Sequence, residues 1–236
     1  MQGIVATSCE EEQAWNQAQL QGSVARPAFR LWSYAEPAVI LGCSQRSLVT
    51  PEQVEQRAGV GAVVRQAGGG AVLAGPWMLS TSIALPNTHP LASSNLIQSY
   101  RWIGELYATL LQRLGIAARA IDAEEAGVLQ QASLAAGLGW ACFGGFSPWE
   151  VVVGQRKIVG LAQVRRRTGT LFVAGLLLDR PEWALLSRAL GRHESSNALL
   201  AARTTSCAEQ LGRDLPLAQL ASQLTDALQA ALAEAG

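Results

Sequence analysis

Two side chains of this sequence could together perform acyl transfer. Cys142 lies in a glycine-rich, aromatic segment that reads Ala-Cys-Phe-Gly-Gly-Phe-Ser-Pro, and Lys157 begins an apolar, strand-like run. A thiolate attacks acyl carbonyls, and a nearby cation lowers the pKa of a thiol. If neighbouring strands hold the two groups together, they can transfer an acyl group through a thioester. Packing and solubility are simpler roles, since free cysteines often fill cores and lysines often protect strand edges.

The second candidate segment is a run of three glycines, from Gly68 to Gly70, that follows Arg65. No Cβ shields the backbone of such a loop, so its amide N–H groups and the nearby guanidinium could hold a phosphate or a carbonyl. A tight turn would need the same glycines. The spacing matches neither the P-loop nor the dinucleotide-binding fingerprint. Ligand contact and a purely structural turn therefore both remain open.

The composition disfavours several other kinds of site. Among 236 residues, 18 basic and 18 acidic side chains give a net charge of zero, which favours neither nucleic acid nor an anionic membrane as a partner. The two histidines and four scattered cysteines lack the spacing of a zinc site, a catalytic triad or a disulfide framework. No apolar run approaches the roughly 20 residues that span a bilayer, and the start of the chain lacks the pattern of a secretory signal. We therefore expect a cytoplasmic protein with reduced thiols and no metal.

Hydrophobic periodicity predicts strands that alternate with helices. Apolar and β-branched runs predict strands at 28–34, 37–41, 60–65, 78–85, 149–153, 157–163 and 170–178. Helical spacing predicts helices at 10–20, 96–114, 181–190 and 216–232, and Thr50 with Gln53 forms a capping box that starts another. This order predicts an α+β fold, a mixed or antiparallel sheet with helices packed on it. We expect a single domain over 1–236, in which about 181–236 form a helical appendage.

With these motifs, the chain resembles the biotin/lipoate protein ligase superfamily. The branch is that of lipoate-protein ligase A, the cysteine-dependent octanoyltransferases and the octanoyl amidotransferases. The likeness covers about 29–178. It rests on Leu-Gly-Cys-Ser-Gln at 41–45, on Arg65 with the glycines that follow it, and on Lys-Ile-Val-Gly-Leu-Ala-Gln at 157–163. The last motif is the most specific of the three.

The resemblance implies a fold akin to the cores of class II aminoacyl-tRNA synthetases and biotin-protein ligases. In that fold the glycine loop and the lysine bracket an octanoyl or lipoyl group. We expect Val72, Leu79 and Ile83 to line part of the slot for its chain. The implied catalytic residues are Cys142 and Lys157, and the implied substrate-binding residues are Arg65, Gly68, Gly69, Gly70, Ala71, Val72, Gly160, Ala162 and Gln163.

Three hypotheses for the activity remain open within this family. The leading one is transfer of an octanoyl or lipoyl group through a Cys142 thioester, without a cofactor, because Cys-Phe, Ser-Pro and Trp-Glu at 142–150 resemble the transferase pattern. The first alternative is an ATP- and Mg-dependent ligase, in which Lys157 would hold the adenylate. The second is a degenerate member that binds lipoyl carriers without catalysis. It is suggested by Val64, Ala74 and Ala174, which stand where the family often has arginine or histidine.

The resemblance also implies the partners of the reaction. The acceptor would be a lysine on a lipoyl carrier domain, either the glycine-cleavage H protein or the E2 component of a 2-oxoacid dehydrogenase. Octanoyl-acyl carrier protein is the expected donor, with the H protein as an alternative. A run of three arginines, Arg165 to Arg167, is typical of a solvated hairpin tip but could dock an acidic carrier.

Overall fold

The computed structural model describes residues 6–92 and 95–235, in which ten strands form two sheets. The strands are β1 (Ala6–Thr7), β2 (Ala28–Tyr34), β3 (Ala38–Leu41), β4 (Gly61–Val64), β5 (Val72–Ala74), β6 (Met78–Leu85), β7 (Ala118–Ala120), β8 (Val151–Val153), β9 (Arg156–Arg166) and β10 (Gly169–Leu177). The large sheet has seven strands in the order β1-β2-β6-β10-β9-β8-β7. All its pairs are antiparallel except β1 with β2. The small sheet has the order β4-β3-β5.

Over the same described residues, eight α-helices surround the sheets. They are α1 (Cys9–Gln21), α2 (Pro51–Ala58), α3 (Arg101–Arg113), α4 (Ala123–Ala135), α5 (Trp183–Ala189), α6 (Ser195–Arg203), α7 (Cys207–Leu211) and α8 (Leu217–Glu234). Capping boxes begin the first two, from Ser8 and from Thr50 with Gln53. Each box satisfies backbone N–H groups that a helix start leaves without partners.

Two large apolar cores hold the sheets and helices together. One lies around the small sheet and includes Leu41, Leu73 and Leu186 of α5. The other lies between the large sheet, α3 and α8, and includes Phe172 and Leu224. The helices beyond 181 thus share both cores with the preceding strands. From this shared burial we propose that the described residues form one domain.

The observed elements confirm the α+β prediction, with a mixed sheet and packed helices. The strands at 28–34 and 78–85 match their predicted bounds. Three helices (α4, α6 and α7) and three short strands (β1, β5 and β7) were not predicted. Cys142 lies in a glycine-rich loop and begins a 3-10 turn, Cys142–Gly144, so the hypothesis that neighbouring strands hold both the thiol and the amine is wrong for the thiol. The glycines that follow it suit a turn better than a strand.

Strand β6 separates the site from the second core. Its side chains alternate between faces, as in any strand. Met78 and Ser80 line a cavity beneath α1. Leu79 and Ile83 point the other way and are buried with α3. The expectation that Leu79 and Ile83 line the acyl slot is therefore wrong, because they lie on the opposite face from Met78.

Candidate active site

The glycine loop and the cysteine segment are joined through their backbones. The Cys142 N–H donates to the carbonyl oxygen of Ala71 at 2.8 Å, and the Ala71 N–H donates to that of Trp140 at 2.8 Å. A Cβ on Gly70 would lie 2.6 Å from the Ala141 carbonyl carbon. Only glycine permits this close approach. Gly70 is therefore needed for the close contact between the glycine loop and the cysteine segment.

The Gly-x-x-Gln motif at 42–45 contacts both the glycine loop and the cysteine segment. Gln45 Nε2 donates to the Trp140 carbonyl oxygen at 2.9 Å, and Gln45 Oε1 accepts from the Gly42 N–H at 3.1 Å. A Cβ on Gly42 would lie 2.0 Å from the carbonyl oxygen of Gly69. This motif, noted only as part of the resemblance, holds the glycine loop and the cysteine segment together.

Arg65 braces the glycine loop from within. Its Nη2 donates to the carbonyl oxygens of Gly68 and Gly70, at 2.8 and 3.0 Å. Gly69 between them has a φ of 89°, a conformation that favours glycine. The predicted role of Arg65 as an anion contact stays a prediction, since the guanidinium hydrogen bonds seen here are made to the chain itself.

Lys157 is buried on β9, with 1% of its surface exposed. Its Nζ lies 2.6 Å from Glu150 Oε2 and donates to the Cys142 carbonyl oxygen at 2.9 Å. The rings of Phe143 and Phe146 face the ammonium, with centroids 5.7 and 5.2 Å from Nζ. Lys157 therefore holds the turn that carries the cysteine. Its predicted stabilisation of the thiolate stays a prediction.

Glu150, which the sequence analysis did not select, is the anionic partner of this lysine. It is 2% exposed and accepts backbone N–H groups from Ser147 and Leu161, at 2.8 and 3.2 Å. Burial raises the pKa of Glu150, and the Lys157 charge and these hydrogen bonds act in the opposite direction. Trp149 turns the chain just before it, with a φ of 69° that is rare for a bulky residue. The sequence signal was an acidic residue directly before three valines.

Two cavities meet at the cysteine. An apolar slot lies between α1 and the large sheet, and a polar pocket of about 300 Å³ lies over the glycine loop. Cys142, which is partly exposed, borders both cavities, together with Arg65 and Ala162. An acyl chain could lie in the slot while its carbonyl group reaches the thiol from the polar side.

The structure brings most of the expected residues to these cavities. Arg65, Gly68, Gly69, Gly70, Cys142, Lys157, Ala162 and Gln163 line the polar pocket, and Val72, Gly160 and Ala162 line the slot. Ala71 is buried and borders neither cavity, so it acts through its backbone. The Gln163 amide is held by Leu96 and Ser99.

The slot also has polar side chains on α1 that were not expected. Glu12 and Asn16 line it and are 1% and 3% exposed. They are four residues apart, so they share one face of the helix. No pattern in the sequence separates them from ordinary surface residues of this polar helix.

Within 6–92 and 95–235, no cluster of three or more His, Cys, Asp or Glu side chains could hold a metal ion. Over the same residues, no helix is long and apolar enough to cross a membrane. The four cysteines are free thiols.

The fold is that of lipoate-protein ligases. The structure of lipoate-protein ligase A bound with ATP superposes with a TM-score of 0.71 at 18% identity, covering 98% of this chain and 86% of that one. A bipartite lipoate protein ligase from Thermoplasma acidophilum gives 0.66 at 17% identity, covering 98% and 84%. The lipoyl protein ligase A/B catalytic domain family has a model that matches residues 9–229, so the chain belongs to this family. The resemblance noted in the sequence is confirmed.

Relatives in sequence carry a more specific name. Octanoyltransferase LipM of Kyrpidia tusciae is 33% identical over 187 residues, which are 78% of this chain and 66% of that protein. Octanoyltransferase LipM of Carboxydothermus hydrogenoformans is 31% identical over 160 residues, which are 66% and 56%. The chain thus matches between about half and two thirds of the length of these relatives.

Proposed function

We propose that this protein transfers an octanoyl or lipoyl group to a lysine of a lipoyl carrier domain through a thioester on Cys142. The observation that carries the proposal is the position of Cys142 where an apolar slot opens into a polar pocket. The relatives named octanoyltransferase LipM support the same activity.

The first step forms the acyl-enzyme. The Cys142 sulfur attacks the acyl carbonyl carbon of the donor, a new S–C bond forms, and the bond from that carbon to the donor sulfur breaks. The proton of the cysteine thiol ends on the departing donor thiol. With an amide donor such as an octanoylated H protein, the bond to nitrogen breaks and the amine takes the proton. Backbone N–H groups around the glycine loop would stabilise the oxyanion.

The second step delivers the acyl group to the carrier. The lysine amine attacks the thioester carbon, the N–C bond forms, the C–S bond to Cys142 breaks, and a proton lost by the amine returns to the sulfur. With a thioester donor neither step needs ATP, because a thioester already carries an activated acyl group. No cofactor enters the proposed reaction.

The charges in the polar pocket favour this transferase over an ATP-dependent ligase. Among the described residues that line it, Arg65 and Lys157 are cationic, and Glu150 opposes them. Arg65 donates through Nη2 to two carbonyl oxygens while its Nε has no partner within 6–92 and 95–235, and Lys157 is paired with Glu150 and a third carbonyl oxygen. The three charged side chains sum to plus one, which compensates a polyanionic triphosphate poorly. The carbonyl group of an acyl donor, which gains a single negative charge during transfer, needs less compensation.

The carrier is proposed to dock beside Gln163, at the mouth of the polar pocket. Arg166 and Arg167 are exposed at the turn between β9 and β10. Three residues along a strand separate Gln163 from Arg166, or about 10 Å. An acidic lipoyl domain, from an H protein or an E2 component, could pair with these arginines while its lysine enters the pocket. Octanoyl-acyl carrier protein is the proposed donor.

Intact mass spectrometry tests the relay directly. Wild-type protein incubated with octanoyl-acyl carrier protein, without nucleotide, should gain the mass of one octanoyl group, and Cys142→Ser should gain none. Cys43→Ser is the matched control, because Cys43 is also a partly exposed free thiol but borders neither cavity. An octanoyl adduct retained in Cys142→Ser would refute the proposed nucleophile.

A second assay separates the alternatives. A lipoyl domain is incubated with the protein and octanoyl-carrier thioester, or with octanoate, ATP and Mg²⁺. Modification only in the ATP reaction would select the ligase. Binding of the lipoyl domain with modification in neither reaction would select a degenerate member of the family.

A further inference from the structure

The slot has a polar wall where α1 covers it. Glu12 and Asn16 of α1 form this wall, next to Ser80 of β6. An apolar chain alone does not require such groups, and burying them costs free energy unless they are paired.

The two side chains differ in how well they are paired. Glu12 accepts from the Tyr34 hydroxyl at 2.8 Å and from the Ser80 hydroxyl at 3.3 Å, so its carboxyl group has partners. Asn16 Oδ1 is buried and receives no hydrogen bond from any described residue. A buried acceptor without a donor points to a group that the structure does not contain.

Strand register gives the span from the Gly160 side of the slot to the Ser80 side of this wall. Gly160, Gly175 and Ser80 are paired in register across β9, β10 and β6. Two strand spacings therefore separate the first from the last, or about 10 Å. The ring of Phe143, the residue after Cys142, lies closest to Gly160 and also reaches Gly175, and Glu12 binds Ser80. Asn16 lies one helical turn, or about 6 Å, further along α1. An eight-carbon acyl chain, with seven bonds of about 1.5 Å in a zigzag, is about 9 Å long.

We propose that the slot recognises an acyl group that carries a hydrogen-bond donor, a hydroxyl or a thiol, near its far end. The donor binds Asn16 Oδ1. The inference rests on the proposed acyl-transfer function and names the chemical class of its acyl group. A plain octanoyl chain in the same slot would leave this acceptor unpaired.

Binding measurements test the inference without any chemical step. Cys142→Ser protein is titrated with 8-hydroxyoctanoyl-pantetheine and with octanoyl-pantetheine, and the two Kd values are compared. One net hydrogen bond predicts about fivefold tighter binding of the hydroxylated thioester. Equal binding, tighter binding of the octanoyl compound, or binding of neither would overturn the proposal.

Two further variants assign the preference to one residue. Asn16→Leu in the same background removes the acceptor at similar size and should reverse the preference, and Asn16→Ala should abolish it even if the leucine variant folds poorly. An unchanged ratio in a folded variant would overturn the role of Asn16. The binding measurements do not depend on the thioester relay, because these proteins lack the nucleophile. If the wild type forms no octanoyl adduct, the relay is refuted and the binding result can still be interpreted.

Discussion

Glu150→Gln should destabilise the protein strongly, because it leaves the Lys157 ammonium buried without its anion. Both side chains are at most 2% exposed, and their charged atoms are 2.6 Å apart. Removing one partner of such a buried pair costs about 3–5 kcal/mol. Urea denaturation measures this loss of unfolding free energy, provided that the variant and the wild type have the same m-value.

Glu125→Gln provides the matched control. Glu125 pairs with Arg119 at the surface, where the two side chains are 34% and 47% exposed, and such pairs contribute about 0–1 kcal/mol. Adding Lys157→Met to Glu150→Gln removes the stranded charge and should recover part of the lost stability. If Glu150→Gln lost no more stability than Glu125→Gln, the assignment of a buried, coupled ion pair would be wrong.

Three other predictions follow from the same geometry. Gly70→Ala should cost about 1–3 kcal/mol and slow octanoyl-adduct formation, since its Cβ would meet the cysteine backbone. The control Gly22→Ala, outside the site and with nothing within 4 Å of the added Cβ, should do neither. Burial raises the pKa of Glu12, so the folded state holds this proton more tightly than the unfolded chain. The contribution of Glu12 to the free energy of unfolding should therefore fall as the pH rises above the ordinary pKa of 4.5. Chemical denaturation at a series of pH values should show that the unfolding free energy of Glu12→Gln falls less steeply with pH than that of the wild type. The same dependence on pH in both proteins would contradict the assignment. Arg166→Glu with Arg167→Glu should raise the KM for a lipoyl domain several-fold with little change in kcat, an effect that shrinks with added salt; a salt-independent KM would exclude carrier docking there.

The local elements could be predicted where the pattern of side chains is strong. Strand β6 consists of β-branched, small and apolar residues and is buried along its whole length. The start of α2 follows from one capping box. Helix α4 was missed because its alanines, glutamates and glutamines carry no clear apolar stripe. The strands of two or three residues, β1, β5 and β7, are too short to show a period.

The candidate site was predicted through single residues rather than through their contacts. The likeness to known motifs selected Cys142, Lys157 and the glycine loop, and the structure places all of them on one pocket. The partners of these residues were not predicted. Glu150 and Arg65 illustrate why. Glu150 pairs with a lysine on β9, and Arg65 donates to carbonyl oxygens of the loop that follows it.

The sequence by itself determined the family, the α+β class and the residues on which acyl transfer would depend, because these follow from local patterns and recognisable motifs. Only the tertiary structure decided that Cys142 stands between an apolar slot and a polar pocket, that Lys157 is paired, and that the Oδ1 atom of Asn16 receives no hydrogen bond from the described residues. Those properties depend on strand order and register, which bring together residues far apart in the chain. A polar side chain is a partner, a brace or an open ligand site according to what the fold packs against it.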